Sequence, residues 1–159
     1  MMAEDLQLRK VFDDVMAQVE EAKDLRYESV ESLSFLFDKV LDKAVDIVQN
    51  SCVKRVVGER SGREIFQVKA GRSTGARRQS KGWLQQCHAA DGQHAEVPDE
   101  YLVLPFHYCS CHAFQFEVIN RGEAFLCKHI LAARLARALG MTMTYVVKDE
   151  LLAQVLLAY

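Results

Sequence analysis

Three cysteines and one histidine form two short pairs within one stretch of the chain. The first pair is Cys109 and Cys111, and the second is Cys127 and His129. The members of each pair are two residues apart, and fifteen residues separate the pairs. Thiolate and imidazole groups are the usual ligands of four-coordinate structural zinc. The spacing therefore predicts one structural zinc ion held by these four side chains.

Other assignments of these residues remain open. The three cysteines could be small buried apolar residues, with His129 a surface histidine, and the C-x-C pair could be a redox pair. His107 and His112 lie beside the first pair and are rival imidazole ligands. We rank them below His129 because His129 makes the second pair match the spacing of the first. We expect Cys52 and Cys87 to be core or loop thiols and not ligands.

A strand and a helix must position the two pairs. Residues Tyr101–Tyr108 have strand character, and Pro105 predicts that this strand is an edge strand or is bulged there. Residues two apart on a strand point to the same face, which would bring both cysteines of the first pair together. We expect the fifteen-residue connection to loop out.

From Cys127 the pattern becomes helical, and Gly140 offers a C-terminal cap. The dipole and free amides of a helix N-terminus would then lower the pKa of the Cys127 thiol and favour the thiolate. The apolar stripe of this helix consists of Ile130, Leu131, Leu135, Ala138 and Leu139.

Apolar periodicity predicts two helices before the zinc motif, over residues 4–23 and 28–49. The second has more apolar residues than one face can hold. Val53–Val57 and Glu64–Ala70 flank a Gly-containing turn and predict a β-hairpin, and a last helix is predicted at about Lys148–Ala158.

These elements predict an α+β fold. It comprises N-terminal helices, a small antiparallel sheet, a zinc-stapled strand-to-helix junction and C-terminal helices. Residues 1–50 would form an N-terminal helical region, and residues 51–159 a zinc-finger core with a flexible insertion at about 71–100. We expect the whole to be one compact domain.

Composition is typical of a globular intracellular protein. Half of the 159 residues are hydrophobic, and no apolar run is long enough for a membrane helix. The start of the chain, MMAEDLQLRKVFDD, is acidic and amphipathic, unlike a signal or transit sequence. In a reducing compartment, clustered thiols bind metal more often than they form disulfides.

Charge is unevenly distributed along the chain. Residues 1–50 carry twelve acidic and six basic residues, whereas residues 51–81 carry nine basic and two acidic ones. The basic segment 54–81 could follow a nucleic-acid backbone, or it could be a solvated hairpin and loop. Trp83 could stack on a base, whereas Phe66 alternates into a strand. The candidate nucleic-acid contacts are Arg72, Arg77, Arg78 and Lys81.

No catalytic machinery is predicted. The run Gly71–Gly75 resembles a phosphate-binding loop, but no Lys-Ser/Thr follows its second glycine, so it is not a P-loop. Four good protein ligands argue for a closed, structural zinc site.

The pattern C-x-C…C-x-H is that of SWIM-type zinc fingers. With Ala132, it resembles the extended form C-x-C…C-x-H-x-x-A of the SWIM proteins of the Shu complex. The runs ESLSFLFDKVLDKAVDIV, SGREIFQV, HYCSCHAFQFEV and LCKHILAARLA resemble the small vertebrate-type proteins of this family in order and spacing. The first helix and the loop at about 76–100 match poorly, so nothing is implied for them.

This resemblance implies a non-enzymatic subunit of a homologous-recombination mediator. Such proteins form a heterodimer with a RecA-like, recombinase-paralogue ATPase and support recombinase filaments on single-stranded DNA. Roles in replication-associated repair and meiosis, and a nuclear location, are implied as well. The zinc ligands carry over to the four residues above, and Ala132 becomes a close-packing position.

Two alternatives stand beside this prediction: direct nucleic-acid binding through the basic segment, and a protein-interaction adaptor outside recombination. We expect the partner surface on the apolar excess of helix 28–49 and on phenylalanines between the metal pairs. Those phenylalanines could instead fill a small core of their own. They are Phe114, Phe116 and Phe125.

Overall fold

The computed structural model describes residues 2–69, 100–105 and 107–158. Helices α1 (Met2–Ala22), α2 (Tyr27–Phe37) and α3 (Lys39–Gln49) begin the chain. Strands β1 (Val53–Gly58), β2 (Glu64–Lys69), β3 (Glu100–Leu104) and β4 (Tyr108–Cys109) follow. A π-helical segment (Phe114–Asn120) then leads to helix α4 (Lys128–Leu139), strand β5 (Met143–Val147) and helix α5 (Asp149–Leu157).

The five strands form one mixed sheet in the order β4-β3-β2-β1-β5. Strands β1 to β4 pair antiparallel with their neighbours, as predicted, and the α+β class is confirmed. Strand β5 was not predicted, and it pairs parallel with β1. Four of its five residues are exposed, so β5 lacks the alternation of buried and exposed residues by which a strand is recognised.

The predicted helix over residues 28–49 is in fact two helices. Asp38 interrupts it with a left-handed φ of 44°. The break lets the two halves pack on different partners: Phe37 of α2 meets Phe12 of α1, with 5.3 Å between the ring centroids, and α3 packs against α4. This division explains part of the apolar excess, because two separate helices bury more faces than one continuous helix.

The predicted strand Tyr101–Tyr108 is likewise divided. Strand β3 ends at Leu104, Pro105 lies in a turn, and β4 folds back so that Val103 pairs with Cys109. Proline cannot donate a ladder hydrogen bond, which is why the strand ends there. The expectation of an edge position is met by β4, which is a terminal strand of the sheet.

Both faces of the sheet carry apolar cores. The main core lies between one face and helices α1 to α4, and it includes fully buried Phe66, Val103 and Leu131. On the opposite face, Leu152 and Val155 of α5 cover Val56 and Ile65. The described residues contain no helix that is both long enough and apolar enough to cross a membrane. The predicted insertion at about 71–100 lies outside the described residues, apart from Glu100, which begins β3.

Candidate metal centre

The four predicted ligands meet at the junction of β4 and α4. Cys109 is the last residue of β4, Cys111 follows two residues later, and Cys127 immediately precedes α4, whose first turn contains His129. One ligand atom from each of the four lies within 4.8 Å of all the others. All four side chains are buried, with no more than 4% of any one exposed. The predicted cluster is therefore assembled as one site.

Ser110, between the first two cysteines, holds the first pair in place. Its backbone N–H donates to the Leu102 carbonyl at 3.0 Å, and its hydroxyl accepts the Leu102 N–H at 3.0 Å. These two bonds fasten the segment to β3. Because neighbouring residues of an extended segment point to opposite sides, the bonds leave both cysteine side chains on the metal side.

The start of α4 holds the second pair. Cys127 has extended backbone angles (φ −81°, ψ 161°) and stands at the N-cap position of α4. Its carbonyl accepts the first helical hydrogen bond, from Leu131 N–H at 3.1 Å. The far end of α4 closes at Gly140, with φ 70° in the left-handed region, as the sequence predicted. The helix thus begins between two ligands and fixes their separation.

The donor set and its dimensions fit one zinc ion. Zinc binds thiolate sulfur at about 2.3 Å and imidazole nitrogen at about 2.0 Å, so tetrahedral ligand atoms lie about 3.5–3.8 Å from one another. The Cys109 Sγ to His129 Nδ1 distance is 3.8 Å. Three buried thiols and one imidazole form the Cys3His set of structural sites. These four residues would hold the ion, which supplies a cross-link between β4 and α4 when bound.

The three thiols differ in pKa. Hydrogen bonds from Cys109 and then Cys127 lower the pKa of Cys111 far below its ordinary value and favour its thiolate. The hydrogen bond that Cys109 donates to Cys111 raises the pKa of Cys109, and burial adds to this effect. Cys111 is therefore the thiolate of the group.

The predicted lowering of the Cys127 pKa by the amides of the helix N-terminus is present, but other effects outweigh it in the protein without metal. The contact with Cys109 lowers the pKa of Cys127, and so does the backbone N–H of Ile130 in the first turn of α4. The neighbouring Cys111 and burial raise it more strongly, to about 11. The amides of the helix N-terminus act in the predicted direction, but a second thiolate beside the first is unfavourable at a buried site.

Two further residues support the ligands, and neither was predicted from the sequence. The Phe114 backbone N–H donates to Cys111 Sγ at 3.3 Å, which stabilises the thiolate. The ring of Tyr101, on β3, stacks on the His129 imidazole. The contact with Phe114 joins residues three apart in sequence, a local turn that spacing could have suggested. The contact with Tyr101 depends on the packing of α4 against the sheet.

The other predicted candidates lie apart from the cluster. His112 is exposed and stacks on Phe116, and His107 is exposed as well, so His129 is the imidazole of the site. Cys52 is a free, partly buried thiol outside the cluster, as predicted. Ala132 is fully buried in α4. The residues that fall outside the described part of the chain are Cys87, Trp83, Arg72, Arg77, Arg78 and Lys81.

The three phenylalanines between the metal pairs differ in environment. Phe114 is buried, and Phe125 packs edge-on against Phe12 at 5.8 Å between centroids. Phe116 is 42% exposed, with the Arg121 guanidinium 4.6 Å from its ring centroid. The predicted loop is partly ordered as the π-helical segment. Phe114 and Phe125 thus pack with the main core, and not in a small core of their own.

The SWIM zinc finger family model matches residues 97–137, a range that includes all four ligands and Ala132. These residues are therefore similar to a SWIM zinc finger. Similarity to known proteins continues beyond this range. Zinc finger SWIM domain-containing protein 7 of Homo sapiens is 27% identical over 150 residues, which cover 94% of this chain and 89% of that protein.

The protein of the same name from Danio rerio is 29% identical over 147 residues, which cover 92% of this chain and 87% of that protein. The Mus musculus protein of that name is 27% identical over 150 residues, which cover 94% of this chain and 82% of that protein. No solved structure matches the chain. The range that is similar to a SWIM finger is thus one part of a longer similarity that includes the N-terminal helices.

Proposed function

We propose that this chain is a non-catalytic, zinc-binding subunit of a Shu-type complex that promotes homologous-recombination repair of DNA. In this role it pairs with a RecA-like, recombinase-paralogue ATPase and supports recombinase filaments on single-stranded DNA. The observation that carries the proposal is the extent of the similarity. It covers 94% of the chain, well past the SWIM finger, in the human relative.

The metal centre supports a structural role. A catalytic zinc ion keeps one coordination position open for water or substrate, with three protein ligands. Here four protein donors converge, and all of them are buried. An ion held by the four would have no position left for a substrate, so we propose that the chain has no enzymatic activity of its own and that ATP hydrolysis belongs to the partner.

Zinc would hold together the part of the fold on which a binding surface depends. The site joins the edge strand β4 to α4, and α4 packs against both α1 and α3. Structural zinc contributes on the order of 10 kcal/mol to folding in small sites. Loss of zinc would therefore disturb the helical layer as well as the finger.

The charges of the described residues favour an adaptor over a chain that binds DNA alone. Lys54 pairs with Glu100 at 2.9 Å, and Arg55 lies in an ion pair with Glu64. Two basic residues of the segment 54–81 are therefore already neutralised by acidic neighbours on the sheet. We propose that single-stranded DNA is bound through the complex, in the nucleus, with roles in replication-associated repair and meiosis.

Co-expression with the recombinase-paralogue ATPase subunit of the same organism tests the proposal. We expect a soluble one-to-one heterodimer whose ATPase subunit copurifies with this chain through size exclusion. We further expect the heterodimer to slow the dissociation of recombinase from single-stranded DNA. Cys127→Ser should abolish copurification together with zinc binding. A wild-type chain that is folded and zinc-loaded but never copurifies with the ATPase would refute the proposal.

A further inference from the structure

Helices α1 and α2 leave an apolar groove open to solvent. The groove has a volume of about 570 Å³, and its apolar lining comes from both helices. Phe35 is 90% exposed, although phenylalanine is among the residues most often buried in a protein core. Val11 and Leu8 are 49% and 38% exposed. The main core therefore does not use this side of the two helices.

The groove is a second apolar face of each helix and not a remnant of the core. Helix α1 already buries Phe12, Val15 and Val19 against the rest of the molecule. Helix α2 already buries Leu33 and Phe37. Both helices thus expose additional large apolar residues to water. Contiguous exposed apolar patches of this kind mark binding surfaces.

The surroundings of the groove are acidic. Glu31 is the one charged residue among the described residues that line it, and Glu28 is exposed one turn earlier on α2. Residues 7–14 and 28–36, which include the lining, contain four acidic and two basic residues. One of each sign is engaged elsewhere: Arg9 lies over the Phe125 ring, and Asp13 pairs with Arg134.

We propose that this groove, with its acidic edge, is a docking site for an amphipathic helix of a partner protein that carries apolar anchors flanked by lysine or arginine. An apolar groove between two helices suits the apolar face of a third. The negative charge selects a basic partner segment and repels an acidic one. A second copy of this chain would bring two acidic faces together, so self-association through the groove is disfavoured.

The inference rests on the proposed function only for the identity of the protein that supplies the helix. The chemistry of the groove can be tested without that protein. The probe is a fluorescein-labelled amphipathic helical peptide with leucine and phenylalanine on one face and lysines on both flanks. A matched peptide has glutamate in place of every lysine.

Fluorescence anisotropy with the full zinc-loaded chain should show that the lysine peptide binds more tightly than the glutamate peptide, and that salt weakens its binding. Phe35→Asp should lower the affinity for the lysine peptide about ten-fold or more, since it removes a central apolar side chain of the groove. Glu31→Lys should lower the affinity for the lysine peptide about two- to five-fold and raise the affinity for the glutamate peptide. Leu157→Asp is the matched control, because Leu157 is 86% exposed on α5, outside the groove, and should change neither affinity.

Equal affinity for the two peptides, or binding of neither, would overturn the inference. So would a concentration-dependent dimer of the wild type that Phe35→Asp converts to a monomer, because the occupant would then be a second copy. Zinc content and thermal midpoint, unchanged in Phe35→Asp, confirm that the variant is folded. If the ATPase partner copurifies equally with wild type and Phe35→Asp, the inference fails while the proposed function stands. If the ATPase copurifies with neither the wild type nor Phe35→Asp, but the peptides behave as expected, only the proposed function fails.

Discussion

The His129 imidazole stacks on the ring of Tyr101, with 4.3 Å between their centroids and 27° between their planes. The Nδ1 atom of this imidazole faces Cys109, whereas the buried Nε2 atom has no hydrogen-bond partner among the described residues. A metal-binding histidine is normally oriented by a hydrogen bond to its other nitrogen. Here the aromatic contact takes that role.

We therefore predict that Tyr101→Ala weakens zinc binding about ten-fold, the lower end of the effect of losing an orienting neighbour. Tyr101→Phe keeps the ring and should bind zinc like the wild type. Competition with a chromophoric zinc chelator measures both affinities. Equal losses in the two variants would show that the hydroxyl group, and not the stacked ring, matters.

Metal content should depend on the four ligands and on no other cysteine of the described residues. We expect one zinc per chain in the wild type, and Cys127→Ser should lose both the zinc and the soluble fold. Cys52→Ser is the matched control and should keep its zinc, because Cys52 lies outside the cluster. Elemental analysis of the purified proteins measures this. A wild type that is folded and free of metal would contradict the prediction.

Zinc affinity should rise with pH. The pKa of Cys127 is raised to about 11 and that of Cys109 is raised further, so both are protonated in the zinc-free chain at neutral pH. Both must lose a proton to bind zinc, and binding therefore releases protons. Competition titrations between roughly pH 6 and 8 should show tighter binding at the higher value. An affinity that does not change over this range would mean that the thiols are already ionised.

Asp149, the first residue of α5, should stabilise the β1–β2 turn in a pH-dependent way. It accepts the Ser61 hydroxyl and the N–H of Arg60, the latter at 3.0 Å. The Ser61 hydroxyl has the largest effect in lowering the pKa of Asp149, and the backbone N–H groups of Arg60 and Ser61 lower it further. Because the folded pKa lies below the unfolded one, this stabilisation is present above the unfolded pKa and disappears as pH falls through the folded pKa.

Asp149→Asn should therefore lower the denaturation midpoint at neutral pH, and its difference from the wild type should shrink below about pH 4. Glu150→Gln, a change at an exposed neighbour, is the control and should have little effect. Urea denaturation at several pH values tests this. A difference that stays constant down to the acid limit would exclude the carboxylate as its source.

A larger residue in place of Gly58 should destabilise the fold, because Asp149 lies beside it. A Cβ atom at Gly58 would collide with the Asp149 carboxylate and would lie 2.6 Å from Ser61 Oγ. Gly58→Ala should therefore cost about 1–3 kcal/mol of unfolding free energy, as overpacking does. Gly62→Ala is not a matched control, since Gly62 has a left-handed φ of 62°. Ala153→Leu, at an exposed position of α5, should be nearly neutral, and urea denaturation compares the two.

Ala132 should tolerate no larger side chain. It is fully buried in α4, between the layers that α4 packs against. Ala132→Leu should lose about 1–3 kcal/mol of unfolding free energy through overpacking. Thermal and urea denaturation measure the loss, with Ala153→Leu again the exposed control. Wild-type stability in Ala132→Leu would mean that the position has room and is kept small for another reason.

Much of the metal centre was predictable because its geometry is local. Cys109 and Cys111 are two residues apart, and so are Cys127 and His129, so each pair depends on only a few backbone angles. The change to helical periodicity at Cys127 marked the second ligand pair, and the structure begins α4 at the next residue. The pKa of Cys127 was not predictable in this way, because it depends on thiols that are remote in sequence.

The sequence by itself determined the ligand set, the α+β class, the hairpin and the helix after Cys127, because short-range spacing and apolar periodicity encode them. Only the tertiary structure decided the break at Asp38, the parallel pairing of β5 with β1, the stacking of Tyr101 on His129 and the exposure of Phe35. Each of these depends on which elements become neighbours. A helix of uniform apolar periodicity does not reveal which of its faces the folded core will bury and which it will leave exposed.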